Sequence, residues 1–418
     1  MIPTVFSIPD GYIPIGNMQT AIVAPYKNTP EGTEADEILR ACVHCGLCTA
    51  TCPSYQLLGD ERDSPRGRIY LIKQALEGQP ISRMTQRHLD RCLTCTSCET
   101  TCPSGVRYRH LLHIGRRIVD GKVSRPLHQR LQRLVLRKVL PYPKRFSPLL
   151  RLARGITPIL PDRFKVPSLK GQNGPVMTTR ANRRNVLILS GCVQSVATPG
   201  TNVALARIFQ RIGIGVIHEP RVGCCGAVSY HLTASIEAAA LMRHNIDAWW
   251  PHVESGIEAI VVSATGCGAM VKDYGYLFRN DPKYAEKAAR ISSLVRDPVE
   301  LLAQDEQEKL SVVGNGRRIA FHAPCTLQHR LRLTGRVESI LTRLGFVLTP
   351  VADAHLCCGS AGTYSLLQPE LSQRLRTRKL SHLQQGKPEL IATANVGCQL
   401  HLAHRAEVPV IHWLELLE

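Results

Sequence analysis

The chain has 418 residues, 44% of them apolar, which suits two or three globular domains with buried cores. Its formal net charge is +19, and this figure counts sixteen cysteines as neutral although metal-bound thiolates would lower it. No apolar run approaches the roughly 18 residues of a membrane span, and the N-terminus lacks the pattern of a signal peptide. We therefore expect a cytoplasmic protein whose clustered thiols stay reduced and hold metal.

Residues 1–34 contain scattered Pro, Gly and Thr with little periodicity, which predicts a loose N-terminal lead-in. Met18 is an alternative start to Met1.

Two cysteine-rich runs of the same spacing follow, "CVHCGLCTATCP" at 42–53 and "CLTCTSCETTCP" at 92–103. Three thiolates separated by two intervening residues can bind three irons of one cubic cluster. The fourth cysteine, which precedes a proline, is directed toward a neighbouring cluster. Structural zinc is the alternative, but zinc sites usually use two C-x2-C pairs. The spacing predicts two [4Fe-4S] clusters, one held by Cys42, Cys45, Cys48 and Cys102, the other by Cys92, Cys95, Cys98 and Cys52.

The segment between the two runs predicts a helix. Asp63 or Ser64 can cap it, Pro65 suits its first turn, and Ile69, Ile72 and Leu76 recur at helical spacing. The stretch "GVRYRHLLHIGRRIVDGKV" after the second run also favours a helix. Residues 35–124 are thus predicted to form a helical ferredoxin domain.

Residues 125–184 are predicted to be a basic helix and a linker. Residues 122–165 contain twelve Lys and Arg but only one acidic residue, Asp162. We expect the helix at 125–140 to lie on the surface and pack on its own protein, with a membrane or partner surface as the alternative. Its apolar face comprises Leu127, Leu131, Leu134 and Val135.

Beyond residue 184 the sequence predicts an internal repeat, with domains at 185–310 and 311–418. The intervals Cys192 to Cys224 and Cys325 to Cys357 are both 32 residues, and strands such as "NVLILS" and "RIAFHA" precede the cysteines. Alternating strands and helices imply parallel sheets with helices on both faces. The predicted fold class is therefore an N-terminal α-helical ferredoxin domain followed by two α/β cysteine-rich repeats.

Each repeat carries four cysteines at the carboxyl ends of predicted strands, where open α/β sheets collect ligands. The vicinal pairs precede a glycine at a predicted helix start, where free N–H groups can stabilise an anionic cluster. An additional iron–sulfur cluster, zinc and thiols without metal all remain open. The candidate ligands are Cys192, Cys224, Cys225, Cys267, Cys325, Cys357, Cys358 and Cys398.

Other conspicuous side chains have ordinary structural interpretations. His231, His322 and His355 lie near the cysteines in sequence but are expected to be hydrogen-bonding core or surface residues rather than ligands. Trp249 and Trp250 are expected to be packing residues.

The chain lacks the nucleotide-binding motifs G-x-G-x-x-G and G-x-x-x-x-G-K-[ST]. Clusters carry single electrons whereas an organic dehydrogenation releases two, so we expect a flavin on another subunit to split the pair. We expect no catalytic residue on this chain. A zinc-stabilised or nucleic-acid-binding protein, suggested by the basic segment, is the rival class.

The words "ACVHCGLCTATCPSYQLLGDERDSPRGRIYLIKQ", "GCCGAVSYHL", "TGCGAMVKDYG", "HLCCGSAGTYSL" and "TANVGCQLHL" resemble the iron–sulfur subunit of bacterial glycolate oxidase (glycolate dehydrogenase) from about residue 35 onward. The resemblance implies a hetero-oligomer with FAD-containing subunits that oxidises glycolate to glyoxylate. It further implies electron transfer to a quinone or other membrane acceptor, peripheral contact with the inner face of the cell membrane, and no nucleic-acid partner. Related lactate or glycerol-3-phosphate dehydrogenase subunits are alternatives.

The repeats also resemble the cysteine-rich domains of heterodisulfide reductases, which end each repeat with C-x-x-C. Here Ala264 and Asn395 occupy the earlier cysteine position. Four cysteines per repeat, rather than five, argue against a thiol–disulfide enzyme.

Overall fold

The computed structural model describes residues 18–156, 178, 184–302, 310 and 313–417. They form two compact units: one comprises the residues up to Cys92 with Ser97–Ser124, the other Leu93–Thr96 with the residues from Arg125 onward. The first seventeen residues of the predicted lead-in and most of the predicted linker lie outside the described residues. No helix among the described residues is long and apolar enough to span a bilayer.

The first unit is helical, as the sequence predicts. It contains α1 (Pro30–Arg40), α2 (Pro53–Leu58), α3 (Pro65–Leu76), α4 (Arg83–Asp90), α5 (Ser97–Thr101) and α6 (Tyr108–Lys122), with 3-10 turns at Leu47–Thr49 and Glu61–Asp63. Helix α1 begins five residues before the predicted start of the domain at residue 35. Its N-cap is Thr29, whose hydroxyl accepts a hydrogen bond from the Gly32 N–H.

Helix α3 has the predicted cap and buried face. Ser64 is the N-cap and accepts a hydrogen bond from the Gly67 N–H, with Pro65 as the first helical residue. Ile69, Ile72 and Leu76 are buried in the core of this unit. Pro53 begins α2, and the first helical position needs no N–H donor.

Two helices precede the repeats in the second unit, α7 (Leu127–Val139) and α8 (Pro143–Ile156). Helix α8 falls where the sequence predicts linker. Proline in the first turn and the leucines that follow allow a helix despite the high Pro and Arg content.

The orientation of α7 corrects an expectation. Arg137 and Lys138 lie on its protein-facing side and pair with Glu237. The apolar side, predicted to pack on the protein, is instead exposed: Leu127 is 79% and Leu131 61% exposed.

The first repeat contains a four-stranded parallel sheet with strand order β2-β1-β3-β4. Its elements are β1 (Asn185–Ile188), α9 (Gln194–Ala197), α10 (Gly200–Arg211), β2 (Gly215–Ile217), α11 (Ala227–His231), α12 (Ser235–Glu254), β3 (Ala259–Val261), α13 (Thr265–Lys272), α14 (Tyr274–Leu277), α15 (Ala285–Leu294), β4 (Val295–Arg296) and α16 (Pro298–Leu301).

The second repeat has the same topology, with strand order β6-β5-β7-β8. Its elements are β5 (Arg318–His322), a π-helical turn (Thr326–Arg330), α17 (Arg336–Arg343), β6 (Val347–Leu348), α18 (Tyr364–Leu367), α19 (Pro369–Gln384), β7 (Leu390–Thr393), α20 (Val396–Ala403), β8 (Val410–His412) and a 3-10 turn (Trp413–Leu416). The outermost strands β4 and β8 were not expected from the sequence.

Alternate residues of each central strand enter different cores, because successive side chains point to opposite faces of a sheet. Val186 and Ile188 of β1 join Ile319 and Phe321 of β5 in one core shared by both repeats, together with α10 and α17. Leu187 and the outer helices of the first repeat form a second core. Ala320 and Ile391 of the second sheet pack with Leu380 and Leu383 of α19 in a further core. Both sheets are therefore covered on both faces, as predicted.

Candidate metal centres

A cavity in the first unit brings cysteines of both runs together. It is lined by Cys42, Cys45 and Cys48 from the first run and by Cys98 and Cys102 from the second. The cavity has about 430 Å³ of atom-free space, partly open to solvent. Cys102, the last cysteine of the second run, thus lies with the first three cysteines of the first run.

The thiols around this cavity repel one another as thiolates. Burial raises the pKa of Cys42, and the nearby Cys102 and Cys45 raise it further. Burial, with Cys42, Cys52 and Cys102 nearby, raises the pKa of Cys48 to about 11. Four thiolates packed this closely need a cationic core between them, so the donor set fits an iron–sulfur cluster.

The two runs share a loop conformation around their second cysteine. His44 and Gly46 flank Cys45 with positive φ angles, and Thr94 and Thr96 flank Cys95 in the same way. Left-handed backbone is unfavourable for threonine, since its side chain is β-branched. The repetition of this geometry indicates that both loops serve the same purpose.

A buried guanidinium links the fourth cysteine of the first run to the second run. Arg68 is 0% exposed and interacts electrostatically with both Cys92 and Cys52. Cys52, Cys92 and Cys98 are buried in this unit, and Cys95 is buried in the segment assigned to the other unit. Tyr108 donates its hydroxyl to the Cys92 sulfur at 3.7 Å.

An ion network that the sequence analysis missed holds Arg68 in place. Its guanidinium donates to the His88 carbonyl at 2.7 Å and to Ser54 Oγ at 3.0 Å, and pairs with Asp63 at 3.3 Å. Asp63 also pairs with Arg91 at 2.7 Å. Asp63 therefore does not cap α3. The only sequence signal for this ion network was the run of four charged residues at 60–63.

The repeat cysteines lie at the ends of neighbouring strands. Cys192 follows β1 and Cys267 follows β3, the two strands between which the strand order reverses. Cys325 and Cys398 follow β5 and β7 in the same relation. Ligands of open α/β sheets bind at such points, at the carboxyl ends of the strands.

Close sulfur contacts connect the first repeat's cysteines. The Sγ atoms of Cys192 and Cys224 are 3.4 Å apart. Hydrogen bonds from Cys192 and Cys225 lower the pKa of Cys224, whereas the contact with Cys224 and burial raise that of Cys192. Asn245 fixes the vicinal pair, since its amide donates to the Cys224 carbonyl at 2.9 Å and accepts from Gly223 N–H at 2.8 Å.

A glycine follows each vicinal pair for a steric reason. Gly226 and Gly359 have φ angles of +86° and +91°, and each donates its N–H to the first sulfur of the pair, at 3.5 Å and 3.4 Å. A Cβ on Gly359 would lie 2.7 Å from the Ser372 carbonyl oxygen. The predicted helix start is present after Gly226, but in the second repeat a turn follows Gly359 and α18 begins only at Tyr364.

The second repeat brings its cysteines together with a histidine. The Sγ atoms of Cys325 and Cys357 are 3.9 Å apart, and ligand atoms of His322, Cys358 and Cys398 all lie within 4.8 Å of one another. His231 and His355 are not in this group. The contact with Cys357 and burial raise the pKa of the Cys325 thiol.

The tryptophans have the packing role expected of them. Trp249 is fully buried, with its ring centroid 6.5 Å from that of Tyr274. Trp250 donates its indole N–H to Glu254 at 2.7 Å.

Comparison with known proteins accounts for this arrangement. A 4Fe-4S dicluster domain matches residues 38–106, and a cysteine-rich domain matches twice, at 186–272 and 319–403. The glycolate oxidase iron–sulfur subunit of Escherichia coli K12 is 54% identical over 403 residues, 96% of this chain and 98% of that protein. The chain belongs to the glycolate oxidase iron–sulfur subunit family.

More distant relatives have related descriptions. The probable glycolate oxidase iron–sulfur subunit of Bacillus subtilis 168 is 27% identical over 89% of this chain and 90% of its own length. Lactate utilization protein A of Geobacillus thermodenitrificans is 27% identical over 52% of this chain and 92% of its own length.

Membership of the glycolate oxidase iron–sulfur subunit family confirms the resemblance read from the sequence and the predicted fold class. The chain is an iron–sulfur, electron-transfer subunit of an oxidoreductase.

Proposed function

We propose that this chain is the iron–sulfur subunit of a glycolate-oxidising complex, receiving electrons from an FAD-containing partner and passing them to a quinone-type acceptor. The relative named glycolate oxidase iron–sulfur subunit matches over nearly the full length of both proteins. The observation that carries the proposal is the cavity at which Cys102 meets Cys42, Cys45 and Cys48. This crossing of the two runs suits two clusters close enough for electron hopping.

The proposal assigns two [4Fe-4S] clusters to the eight ferredoxin cysteines. Cys42, Cys45, Cys48 and Cys102 hold the first, and Cys92, Cys95, Cys98 and Cys52 hold the second. Arg68 supports the second assignment, because its buried guanidinium interacts electrostatically with both Cys52 and Cys92. When bound, the clusters supply one-electron carriers, and FAD on a partner subunit supplies the conversion from two electrons to one.

We further propose that the repeats bind metal through their cysteines, as additional clusters or as zinc. In each set, two cysteines follow the strands between which the strand order reverses, and the Sγ atom of a third lies 3.4 Å or 3.9 Å from one of them. Six of these eight thiols are buried, and the other two, Cys267 and Cys325, are partly buried. Grouped thiols of this kind are stable in a protein interior when a metal ion binds them.

An anionic membrane surface is the proposed docking partner of α7 and α8, on the inner face of the cell membrane. Residues 125–156 contain nine Lys and Arg and no acid. Eight of the exposed large apolar side chains lie here: Leu127, Leu131, Leu134, Val135, Tyr142, Leu149, Leu152 and Ile156. Exposed leucines beside basic residues are typical of helices that lie in the membrane interface, where a quinone would be reached.

The cluster assignment is tested by cysteine substitution in the full chain, purified without oxygen. Cys102→Ala and Cys42→Ala should each lower the iron content by about four atoms and remove the same EPR signal on reduction. The double variant should lose no more iron than either single one. Loss of about eight iron atoms in the double variant would contradict the crossed assignment.

A lactate-oxidising complex is the second candidate, because relatives named Lactate utilization protein A match about half of the chain. Reduction of a dye by the co-purified complex, measured with glycolate and with lactate, distinguishes the two candidate functions. Dependence on glycolate supports the proposal, and dependence on lactate alone would overturn it.

A further inference from the structure

His322 is buried in the second repeat with one ring nitrogen satisfied and the other without a partner. The residue is 2% exposed at the end of β5. Its Nδ1 lies 3.0 Å from Thr393 Oγ1 on the neighbouring strand β7. Its Nε2 is buried with no hydrogen-bond partner. A buried nitrogen of this kind costs free energy unless something binds it.

Two thiols lie beside this nitrogen. Ligand atoms of His322, Cys358 and Cys398 all lie within 4.8 Å of one another, and all three residues are buried. The three residues lie near the ends of three strands: His322 ends β5, Cys398 follows β7, and Cys358 follows the turn beyond β6. The Asn395 amide donates to the Cys398 sulfur at 3.5 Å, which orients that thiol.

We infer that His322, Cys358 and Cys398 form a mononuclear zinc site with a mixed nitrogen and sulfur ligand set. Zinc binds imidazole at about 2.0 Å and thiolate at about 2.3 Å in tetrahedral geometry, which brings its ligand atoms within roughly 4 Å of one another. The thiolates of a cube bind different irons and stand further apart. The Thr393 contact fixes the imidazole ring, as hydrogen bonds to the second nitrogen do for metal-binding histidines.

A buried basic side chain lies beside the trio. The ammonium of buried Lys379 interacts electrostatically with Cys358 and Cys357, and its Nζ donates to the Asp353 carbonyl at 2.7 Å. This positive charge therefore lies next to one of the three proposed ligands.

The first repeat lacks the nitrogen ligand. Leu189 stands three residues before Cys192, as His322 stands three residues before Cys325. Among the residues that the structure describes, the other group with metal-ligand spacing is Asp60, Asp63 and His88. Asp63 there is paired with the cations Arg68 and Arg91, which disfavour a metal ion. The two repeats therefore differ in metal chemistry.

The zinc site rests on the metal-binding role proposed for the repeats, but not on the ferredoxin clusters. The test measures zinc and iron together in the full chain purified without added chelator. We expect about one zinc per chain in the wild type. His322→Leu, which copies the first repeat, should lower zinc at least about tenfold and leave iron unchanged. His382→Gln, in the same repeat but outside the trio, should keep both metals.

X-ray absorption at the zinc edge of the wild-type chain tests the site without any variant. Imidazole scattering together with sulfur supports the assignment even if His322→Leu fails to fold. Wild-type protein without zinc, zinc retained in a folded His322→Leu variant, or a shell of sulfur alone would each overturn it. Missing iron with zinc in place would instead contradict the proposed clusters.

Discussion

At the scale of single residues, Arg68 is a fully buried charge in the first unit. It joins helix α2 at Ser54, the 3-10 turn at Asp63 and the carbonyl of His88. Breaking a buried ion pair by removing one partner leaves the other charge inadequately solvated. The same guanidinium lies in the electrostatic field of Cys52 and Cys92. We therefore expect stability and the proposed cluster binding to be coupled at this residue.

We expect Arg68→Met to destabilise the first unit by about 3 kcal/mol, the lower end of the usual range because Arg91 still faces Asp63. Loss of visible cluster absorbance in urea measures this change. Arg62→Met removes the exposed pair with Asp60 and should shift nothing measurable. Equal urea midpoints for Arg68→Met and wild type would contradict the role given to Arg68.

Cysteine spacing predicted the candidate cluster ligands because their chemistry is local in sequence. The Arg68 network was not predictable in this way, since its partners Ser54, Asp63 and His88 come from three different elements. The pairing of Asp63 also explains why Ser64, of the two candidate caps, is the one that caps α3. The expectation that His322 is a hydrogen-bonding core residue agrees with its burial and its contact with Thr393, but its closeness to Cys358 and Cys398 was not predictable, because those cysteines are distant in the chain.

At the scale of elements, the glycine turn after the second vicinal pair is sterically fixed. Gly359→Ala should destabilise the second unit by about 2 kcal/mol or more, because φ is +91° and the new Cβ would meet the Ser372 oxygen. Gly362→Ala has a φ of +62° but no atom within 4 Å of the new Cβ, so about 1 kcal/mol is expected.

Tryptophan fluorescence during urea unfolding measures this difference selectively. All three tryptophans, Trp249, Trp250 and Trp413, belong to the second unit. If the two alanine variants unfold at the same urea concentration, the contact with Ser372 does not constrain the turn.

The exposed face of α7 gives a prediction for the same scale. The chain should bind phosphatidylglycerol vesicles in a salt-sensitive way and bind phosphatidylcholine vesicles weakly. Leu127→Gln with Leu131→Gln should weaken sedimentation with anionic vesicles, since both side chains are exposed and support no core. Val347→Gln, an exposed apolar residue of β6, is the matched control.

Unchanged vesicle binding by the Leu127→Gln, Leu131→Gln variant would count against the membrane proposal. A second result would also count against it: the wild type binds no vesicles, and the variant purifies without the flavin subunit. In that case the exposed face of α7 would be a protein interface.

At the scale of the whole molecule, the chain combines a helical cysteine-rich unit with a duplicated α/β unit. The equal 32-residue cysteine intervals predicted the duplication, and the two sheets have the same strand order. The sequence did not reveal β4 and β8, because strands of two or three residues carry no period-2 signal. It also did not reveal the shared core, which depends on how two separate sheets face each other.

The central claim is that electrons from glycolate pass through clusters on this chain. The most direct measurement is the EPR spectrum of the complex purified with its partner subunits, frozen after glycolate is added without oxygen or acceptor. We expect signals of reduced clusters that appear as glyoxylate forms and fade when a quinone is added. Glyoxylate formation and quinone reduction with the clusters oxidised throughout would contradict it.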